Sequence, residues 1–409
     1  MQKPMTGVRV LEVAQFTFVP SAGAVLADWG ADVIKIENPV TGDAQRGLVT
    51  VAGRSAKTPG VAFAPLMEAP NRGKRSVGLS LALNQSRPVF EELVRRSDVF
   101  LTNYLPQARD KLRIDLDEIR RINPSIVYVA GSGFGSEGPD RDTGAHDVTA
   151  FWARSGSADG VSPTDCEAPT GMPAGGYGDN MGGITIAGAV AAALYGRQAT
   201  GQTSVIDVSL LAVGAWANQF NLNLAMLYDC PLPKMDHRGQ VLGNPLVGAY
   251  RCSDGRFIQL SMLQPTRYWS PVCRLFGMED AADDERFASL ESLAAHAEEA
   301  TLLIVHAIGS RTFEECKRLL NLSGGQWAPV QDAWEAANDE SLIANGRIAD
   351  VVDAQGNKQR LVANPVKFDE AAAHLTRAPM FAEHTDEVLR ELGIGDHDLI
   401  ELKIEGAIT

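Results

Sequence analysis

The sequence has few cysteines and none of the spacings that would pair them. The five are odd in number and include no Cys-Xaa-Xaa-Cys motif: Cys166, Cys230, Cys252, Cys273 and Cys316. This pattern argues against a disulfide framework and against a zinc site. We therefore expect buried, reduced thiols and no bound metal.

Long hydrophobic runs are also missing. The segment that begins at Met1 contains no apolar signal core, and no uncharged apolar stretch of about 18 residues follows, which is roughly the length that a membrane span needs. The sequence therefore predicts a cytoplasmic protein with no membrane partner.

Positive charge is in short supply. The chain has 37 Lys and Arg against 51 Asp and Glu, which gives a formal net charge of −14. Nucleic-acid binding requires a basic surface that displaces counterions from phosphates, so we expect no nucleic-acid partner. Local basic clusters can still bind a small anion.

The pattern of apolar residues predicts an α/β fold. Short apolar runs at 8–13, 33–37, 76–81, 99–104 and 126–129 alternate with helical patterns at 22–29, 87–96 and 116–122. This alternation is typical of a parallel sheet with crossover helices, and it predicts a Rossmann-like layer. The loop after the first strand has no Gly-Xaa-Gly-Xaa-Xaa-Gly, so we expect no nicotinamide or flavin dinucleotide.

At 409 residues the chain is long enough for about two or three folding units. After Pro245 a β-hairpin with an Asp-Gly turn, followed by helices, indicates a smaller α+β domain, and the C-terminal tail with a helix at 385–392 can return to the first domain. We predict a large Rossmann-like domain from residues 1–200 and 330–409, linker helices at 201–230, and a small domain at 231–329.

An aspartate lies among glycines in the segment 171–183, where the local sequence is Gly-Asp179-Asn-Met-Gly-Gly. A carboxylate flanked by residues without side chains is accessible to a bulky substrate, as a nucleophilic or acid/base aspartate must be. The same pattern also fits a turn in which Asp179 or Asn180 caps the helix predicted at 184–194.

Two further groups of residues have a chemical interpretation. His146 can form a proton-transfer pair with Asp179 if the two face one pocket, or it can be a histidine at a helix start. Basic clusters at 71–75 and 103–111 can act as anion clamps near strand ends, or they can be solvated surface. A serine nucleophile at Ser132 is rejected, since Gly-Ser-Gly lacks the Gly-Xaa-Ser-Xaa-Gly form.

A series of segments in the right order resembles the family III CoA-transferases, the group of carnitine-CoA transferase and formyl-CoA transferase. The resembling segments are 7–13, 26–39, 71–79, 103–106, 122–128, 133–139 and 378–389. Each segment alone is ordinary, but together they span nearly the whole chain.

The resemblance implies that Asp179 is a covalent nucleophile. Its carboxylate would attack an acyl-CoA thioester to form a mixed anhydride, and CoA thiolate would then convert the anhydride to an aspartyl-CoA thioester that an acceptor carboxylate uses in turn. The neighbouring glycines would leave room for the thioester and offer N–H groups to the oxyanion. The partners would be an acyl-CoA donor and a carboxylic acid acceptor, with coenzyme A as co-substrate and no permanently bound cofactor.

The resemblance also implies binding residues and an assembly. The positions against CoA would be Gln15, Phe16, Thr17, Phe18, Arg72, Lys74, Arg75, Asn103, Tyr104 and Lys111. Among these, Tyr104 would line the adenine or pantetheine path, while Arg75 and Lys111 would contact phosphates. Two subunits would interlock as a homodimer.

The same family includes α-methylacyl-CoA racemases, which exchange an α-proton with a histidine and an aspartate. His146 and Asp179 fit that alternative, whereas the sequence after His146 and the glycines after Asp179 are more like those of transferases. Two departures from the family pattern concern Phe18 and Val19 before Pro20, where small residues are common, and the segment 237–245, which lacks the glycine-rich lid of formyl-CoA transferase.

Overall fold

The computed structural model describes residues 3–51, 54–56, 63–234 and 243–409. Most of the segment 237–245 therefore lies outside the described residues. By the density of their contacts, the described residues form two compact units: Met1–Ser162, Ala168–Leu232 and Glu340–Thr409 make the larger, and Pro163–Glu167 with Pro233–Asp339 make the smaller.

The larger unit is built on a six-stranded parallel sheet. The strands before the small unit are β1 (Arg9–Val13), β2 (Asp32–Glu37), β3 (Thr50–Val51), β4 (Arg54–Ser55), β5 (Arg75–Gly78), β6 (Val99–Thr102), β7 (Val127–Ser132) and β8 (Val205–Ser209). The sheet order is β5-β2-β1-β6-β7-β8, and every neighbouring pair is parallel, while β3 and β4 form a separate antiparallel pair. The predicted α/β class and the parallel sheet are thus confirmed.

Helices cover the sheet on both faces, which explains why its central strands are continuous apolar runs. They are α1 (Phe18–Asp28), α2 (Pro65–Asn71), α3 (Arg87–Arg95), α4 (Pro106–Leu112), α5 (Leu116–Ile122), α6 (Ser157–Gly160), α7 (Tyr177–Thr200), α8 (Leu210–Ala217) and α9 (Gln219–Tyr228), with 3₁₀ turns and a π-helix at Val148–Ala153. One core packs α1 and α7 against one face, and a second packs α3, α5 and the C-terminal helices against the other.

The smaller unit has a three-stranded antiparallel sheet and helices. Its strands are β9 (Val247–Arg251), β10 (Phe257–Ser261) and β11 (Trp327–Pro329), and its helices are α10 (Pro265–Leu275), α11 (Glu279–Ala282), α12 (Leu290–Ala295), α13 (Ala297–Gly309), α14 (Phe313–Ser323) and α15 (Ala333–Ala337). The hairpin of β9 and β10 turns at Gly255, whose φ of 87° suits glycine. A separate apolar core fills this unit.

The C-terminal part belongs to the larger unit. It contains α16 (Glu340–Ala344), the antiparallel pair β12 (Ile348–Val352) and β13 (Lys358–Val362), α17 (Thr385–Glu391) and α18 (Asp396–Ile404). Ile408 forms an isolated antiparallel bridge with Leu79, just after β5. Hydrogen bonds of Ser76 to the backbone of Ala382 and His384 add to this attachment.

The domain boundaries differ from the prediction in several places, and one is Pro163–Glu167, which was predicted in the large domain and belongs to the smaller unit. Residues 201–230 were predicted to be linker helices, but they include β8, which is the edge strand of the large sheet, and they belong to the larger unit. Residues 330–339 fall in the smaller unit instead of the larger. Propensity and periodicity do not show to which unit a strand belongs, because the strand that it pairs with lies in a distant segment of the sequence.

None of the described helices, the 24-residue α7 included, combines the length and the apolarity that a membrane crossing requires.

Candidate active site

The order in which strands are added to the sheet changes direction between β1 and β6. In chain order the six strands run 3-2-1-4-5-6 across the sheet, and ligands of such sheets bind in the crevice at the carboxyl ends of strands 1 and 4. Residues 14–17 follow β1 and residues 103–105 follow β6, so the two loops meet at that crevice. The side-chain amide of Asn103 bonds to both the backbone N–H and the carbonyl of Gln15, at 3.0 and 2.7 Å.

A cavity of about 760 Å³ opens at this crevice. Its size lies within the range of about 300–1,000 Å³ that small-molecule and cofactor sites occupy. Seven residues singled out from the sequence line it: Gln15, Phe16, Phe18, Asn103, Tyr104, His146 and Asp179. Fold topology thus brings together side chains that are up to 164 positions apart, counted from Gln15 to Asp179.

Asp179 lies in the first turn of α7, three residues after the N-cap Gly176. Its carboxylate lines the cavity and has no hydrogen-bond partner among the described residues. Burial, reinforced by the negative charge of Asp147, raises the pKa of Asp179 to about 7. Asp179 therefore does not cap the helix, and its carboxylate faces the cavity without a protein group to neutralise it.

Asp147 is a residue that the sequence did not single out. It is buried, caps the π-helix at Val148–Ala153 through the backbone N–H of Val148, and accepts a hydrogen bond from the N–H of Gly178 at 3.2 Å. Those two bonds fix its carboxylate beside the first turn of α7. Only its adjacency to His146 distinguishes it in the sequence, because the contact with Gly178 spans 31 positions.

Packing explains two of the glycines next to Asp179. A side chain at Gly178 would overlap the ring of Phe151, and one at Gly182 would overlap the ring of Phe18. Both glycines are buried, and they let α7 approach the π-helix and α1 closely. At Gly178 and Gly182 packing explains the glycine, and the N–H of Gly178 is donated to Asp147. A side chain at Gly171 or Gly175 would meet no atom within 4 Å, so room for a thioester at those positions stays a prediction.

His146 is exposed and lines the cavity together with Asp179. Its ring lies edge-on to that of Phe16, with 5.5 Å between the centroids. Its backbone N–H donates to the hydroxyl of Thr149, as befits a residue at a helix start. His146 thus has both features proposed from the sequence, a place in the pocket and a place before a helix.

The cations of the 71–75 segment lie elsewhere. Arg72 pairs with Asp28 at 2.7 Å, Lys74 with Glu12 at 2.6 Å, and Arg75 with Asp32 at 2.7 Å. Arg75 also pairs with Glu387 and Glu391 of α17. None of the three lines the cavity. Each cation of the 71–75 segment is thus compensated by a carboxylate of the protein itself.

The remaining expected CoA contacts, Thr17 and Lys111, are also outside the cavity lining. Thr17 precedes α1, and Lys111 is exposed on α4. Two residues before Lys111, Arg109 does line the cavity, and its Nε is buried without a hydrogen-bond partner among the described residues. Its Nη1 lies 3.4 Å from the hydroxyl of Tyr128. Residues two apart on a helix point in nearly opposite directions, so the sequence cluster could not show which cation faces inward.

The fold and the site define an α/β protein with a crevice at the sheet reversal and an uncompensated carboxylate inside it. The sequence matches CoA-transferase family III over residues 5–385, and the chain belongs to this family. It is 29% identical over 98% of its length to (R)-2-hydroxy-4-methylpentanoate CoA-transferase of Clostridioides difficile, covering 98% of that protein. It is 30% identical to cinnamoyl-CoA:phenyllactate CoA-transferase of Clostridium sporogenes, over 97% of this chain and 95% of that one.

Solved structures agree with this assignment. Rv3272 from Mycobacterium tuberculosis superposes with a TM-score of 0.79 at 28% identity, over 94% of this chain and 99% of that one. A CAIB/BAIF family protein from Brucella suis gives a TM-score of 0.79 at 25% identity, over 96% and 100%. The relatives named as CoA-transferases favour CoA transfer over the racemase alternative. The predicted family and enzyme class are confirmed.

Proposed function

We propose that the protein moves CoA from an acyl-CoA thioester to a carboxylic acid through covalent intermediates on Asp179. The observation that supports this most is the state of Asp179 itself, a carboxylate inside the cavity with no hydrogen-bond partner among the described residues and a pKa of about 7. A poorly solvated carboxylate is more basic and more nucleophilic than one in water.

The proposed reaction needs neither water nor an added cofactor. A carboxylate oxygen of Asp179 attacks the thioester carbonyl, and the C–S bond breaks to release CoA thiolate and leave a mixed anhydride. The thiolate attacks the aspartyl carbonyl and expels the donor as its carboxylate, which leaves an aspartyl-CoA thioester. The acceptor carboxylate then reverses both steps and regenerates the Asp179 carboxylate.

Arg109 is our candidate for the principal anion contact within the cavity. Its guanidinium is the inward-facing cation of α4, and a phosphate or carboxylate would satisfy its unpaired Nε. Gln15, Phe16, Phe18, Asn103 and Tyr104 would line the path of the pantetheine chain. Lys111 and Thr17 would act at most from outside the cavity, while Arg72, Lys74 and Arg75 would stabilise the fold.

Exposed apolar side chains of α8 and α9 support the homodimer that the family resemblance implies. No residue of α9 is buried, and its Phe220 is 81% exposed, while Trp216 of α8 is 73% exposed. Exposed aromatic side chains in such a group are typical of an interface. We propose that a second copy of the chain covers them, and light scattering of a Phe220→Lys variant should show a monomer.

Mass spectrometry tests the covalent mechanism. Incubation with acetyl-CoA or succinyl-CoA should give an aspartyl-CoA adduct, and hydroxylamine should convert Asp179 to a hydroxamate, whereas the Asp179→Asn variant should give neither product. Acceptors should include 2-hydroxy acids, since two relatives are named for such acids. No adduct with any donor, together with deuterium from solvent at the α-carbon, would contradict the transferase mechanism and favour racemisation.

A further inference from the structure

Phe16 has a backbone conformation that phenylalanine rarely adopts. Its φ is +62°, in the left-handed region, where a β-carbon crowds the following carbonyl. The residue is 41% exposed and lines the cavity with Asp179, and its ring meets that of His146 edge-on. Such strain persists only where surrounding groups enforce it, and it is common where a side chain must be held for function.

Side chains from other segments hold three successive residues of this loop, Ala14, Gln15 and Phe16. Lys35 donates to the carbonyl of Ala14 at 2.8 Å, and Asn103 holds both backbone groups of Gln15. Asp43 accepts a hydrogen bond from the N–H of Phe16 at 3.0 Å. The loop has no ladder of its own, so these bonds satisfy its backbone groups and fix its conformation.

The Asp43 carboxylate is itself fixed. One oxygen receives the N–H groups of both Phe16 and Gln45, and the other lies 2.8 Å from the ammonium of Lys35. Lys35 reaches Glu12 at 3.0 Å, and the side chains of all three charged residues are fully buried. A buried charge is stable only with its partners in place. Movement of any of these side chains would therefore expose an ion to water or leave a buried ion without its partner.

We propose that Asp43 and Lys35 are positioning residues of the CoA-transfer reaction, which hold Phe16 in its left-handed conformation so that its ring shields the intermediates at Asp179 from water. This inference rests on the proposed function, because it takes the cavity as the acyl-CoA site. An anhydride or thioester at Asp179 is lost if water reaches it, and an aromatic ring in the wall of the same cavity leaves less room for water.

The ring and the strain can be tested separately. Phe16→Ala removes the ring and keeps a β-carbon, whereas Phe16→Gly removes both. We expect each variant to raise the ratio of acyl-CoA hydrolysis to CoA transfer about tenfold or more. Phe16→Gly should also have a higher urea midpoint than Phe16→Ala, because glycine adopts this φ without strain. Asp369→Gly, which replaces an exposed residue of φ 52° outside the cavity, should leave the ratio unchanged.

A double-mutant cycle tests whether Asp43 acts through Phe16. Asp43→Asn keeps the shape of the acceptor and removes the charge facing Lys35, so it should also raise the hydrolysis-to-transfer ratio. In the Phe16→Gly background, Asp43→Asn should raise the hydrolysis-to-transfer ratio by less than about twofold, since the effects of coupled residues are not additive. Equal effects of Asp43→Asn in both backgrounds would overturn the positioning role.

Whether the parent protein forms the Asp179 adduct distinguishes a failure of this inference from a failure of the proposed function. If the parent forms the adduct but both Phe16 variants keep its hydrolysis-to-transfer ratio within about twofold, the shielding role is overturned while the mechanism stands. If the parent forms no adduct, the proposed function fails, and this inference fails with it. Should Asp43→Asn not fold, the two Phe16 variants still decide whether the ring shields the site.

Discussion

Two regions of the larger unit, both expected from the sequence to contact CoA, have different surroundings in the structure. The loops after β1 and β6 meet at the reversal of the sheet and line the cavity with Asp179. The segment 71–75 instead leads into the edge strand β5, and its cations are paired with Asp28, Glu12 and Asp32. A basic residue is available to a ligand only if the fold has not already supplied its counterion. Changes in the first region should therefore affect activity, and changes in the second should affect stability.

The largest effect is expected at Asp179. Asp179→Asn should lower CoA transfer by at least about 10⁴-fold, because it removes the nucleophile. A cavity residue of this kind should not support the fold, so the variant should keep its cooperative unfolding. Residual transfer within about tenfold of the parent would show that the reaction does not depend on this carboxylate.

The same variant should be more stable than the parent at high pH. The raised pKa of Asp179 means that folding costs free energy wherever the unfolded carboxyl has ionised, so the stability of the parent falls as the pH rises from about 4 to about 7. Asparagine lacks this titration. We expect Asp179→Asn to gain about 1–3 kcal/mol at pH 8 and almost nothing at pH 4, after allowing for partial exposure, by urea unfolding.

A large loss of stability is expected at Lys74. Burial lowers the pKa of Lys74 to about 7, so the amine is charged at pH 6. At that pH, Lys74→Met removes one of the two ammonium groups that compensate the buried Glu12, and it should lower the free energy of unfolding by about 3–5 kcal/mol. Arg95→Met breaks an exposed pair with Glu91 and should cost less than about 1 kcal/mol. A Lys74→Met protein that is as stable as the parent but binds CoA more weakly would show that the segment 71–75 binds CoA and does not stabilise the fold.

Arg109 and Lys111 compare two cations on one helix. Arg109→Met should raise the KM for acyl-CoA by about 10–100-fold with little change in kcat, because a hydrogen bond to a charged group is worth about 1.5–3 kcal/mol. Lys111→Met should have a smaller effect, at most about fivefold, because the exposed ammonium is screened by water. A larger effect at Lys111 would place the phosphates outside the cavity lining.

A shift of the pH profile is expected from Asp147. Formation of the Asp179 adduct should increase with pH and level off above about 7, since the carboxylate must be ionised to attack. Asp147→Asn removes the neighbouring charge, which raises the pKa of Asp179, and should therefore move this midpoint to lower pH. Asp207→Asn alters another carboxylate of the cavity that does not contribute to the shift, so its midpoint should match the parent.

The smallest effect is expected at His146. The transferase chemistry needs no general base, so His146→Ala should reduce CoA transfer by less than about fivefold, through lost packing against Phe16. Exchange of the α-proton of the acyl-CoA, measured by deuterium incorporation, should be negligible in both proteins. Rapid exchange in the parent that disappears in His146→Ala would support the racemase alternative.

The local elements were predictable because periodicity is a property of short segments. The strands at β1, β2, β6 and β7 and the helix α5 lie close to their predicted bounds. The assignment of 201–230 as a linker differs from the structure, since an edge strand is recognised only by the strand that it pairs with. The role of the glycines near Asp179 was also not predictable, because Phe18 and Phe151 approach them from distant segments.

The sequence by itself determined the family, the α/β class and the presence of an aspartate at the start of a helix, because these depend on ordered motifs and on local periodicity. The tertiary structure decided which charges are free. Lys74 meets Glu12 across 62 positions, and Arg75 meets Glu391 across 316, while the Nε of Arg109 has no partner among the described residues. Compensation of charge acts through space at a few ångströms, so only the folded chain separates the cations that stabilise it from those that can bind a substrate.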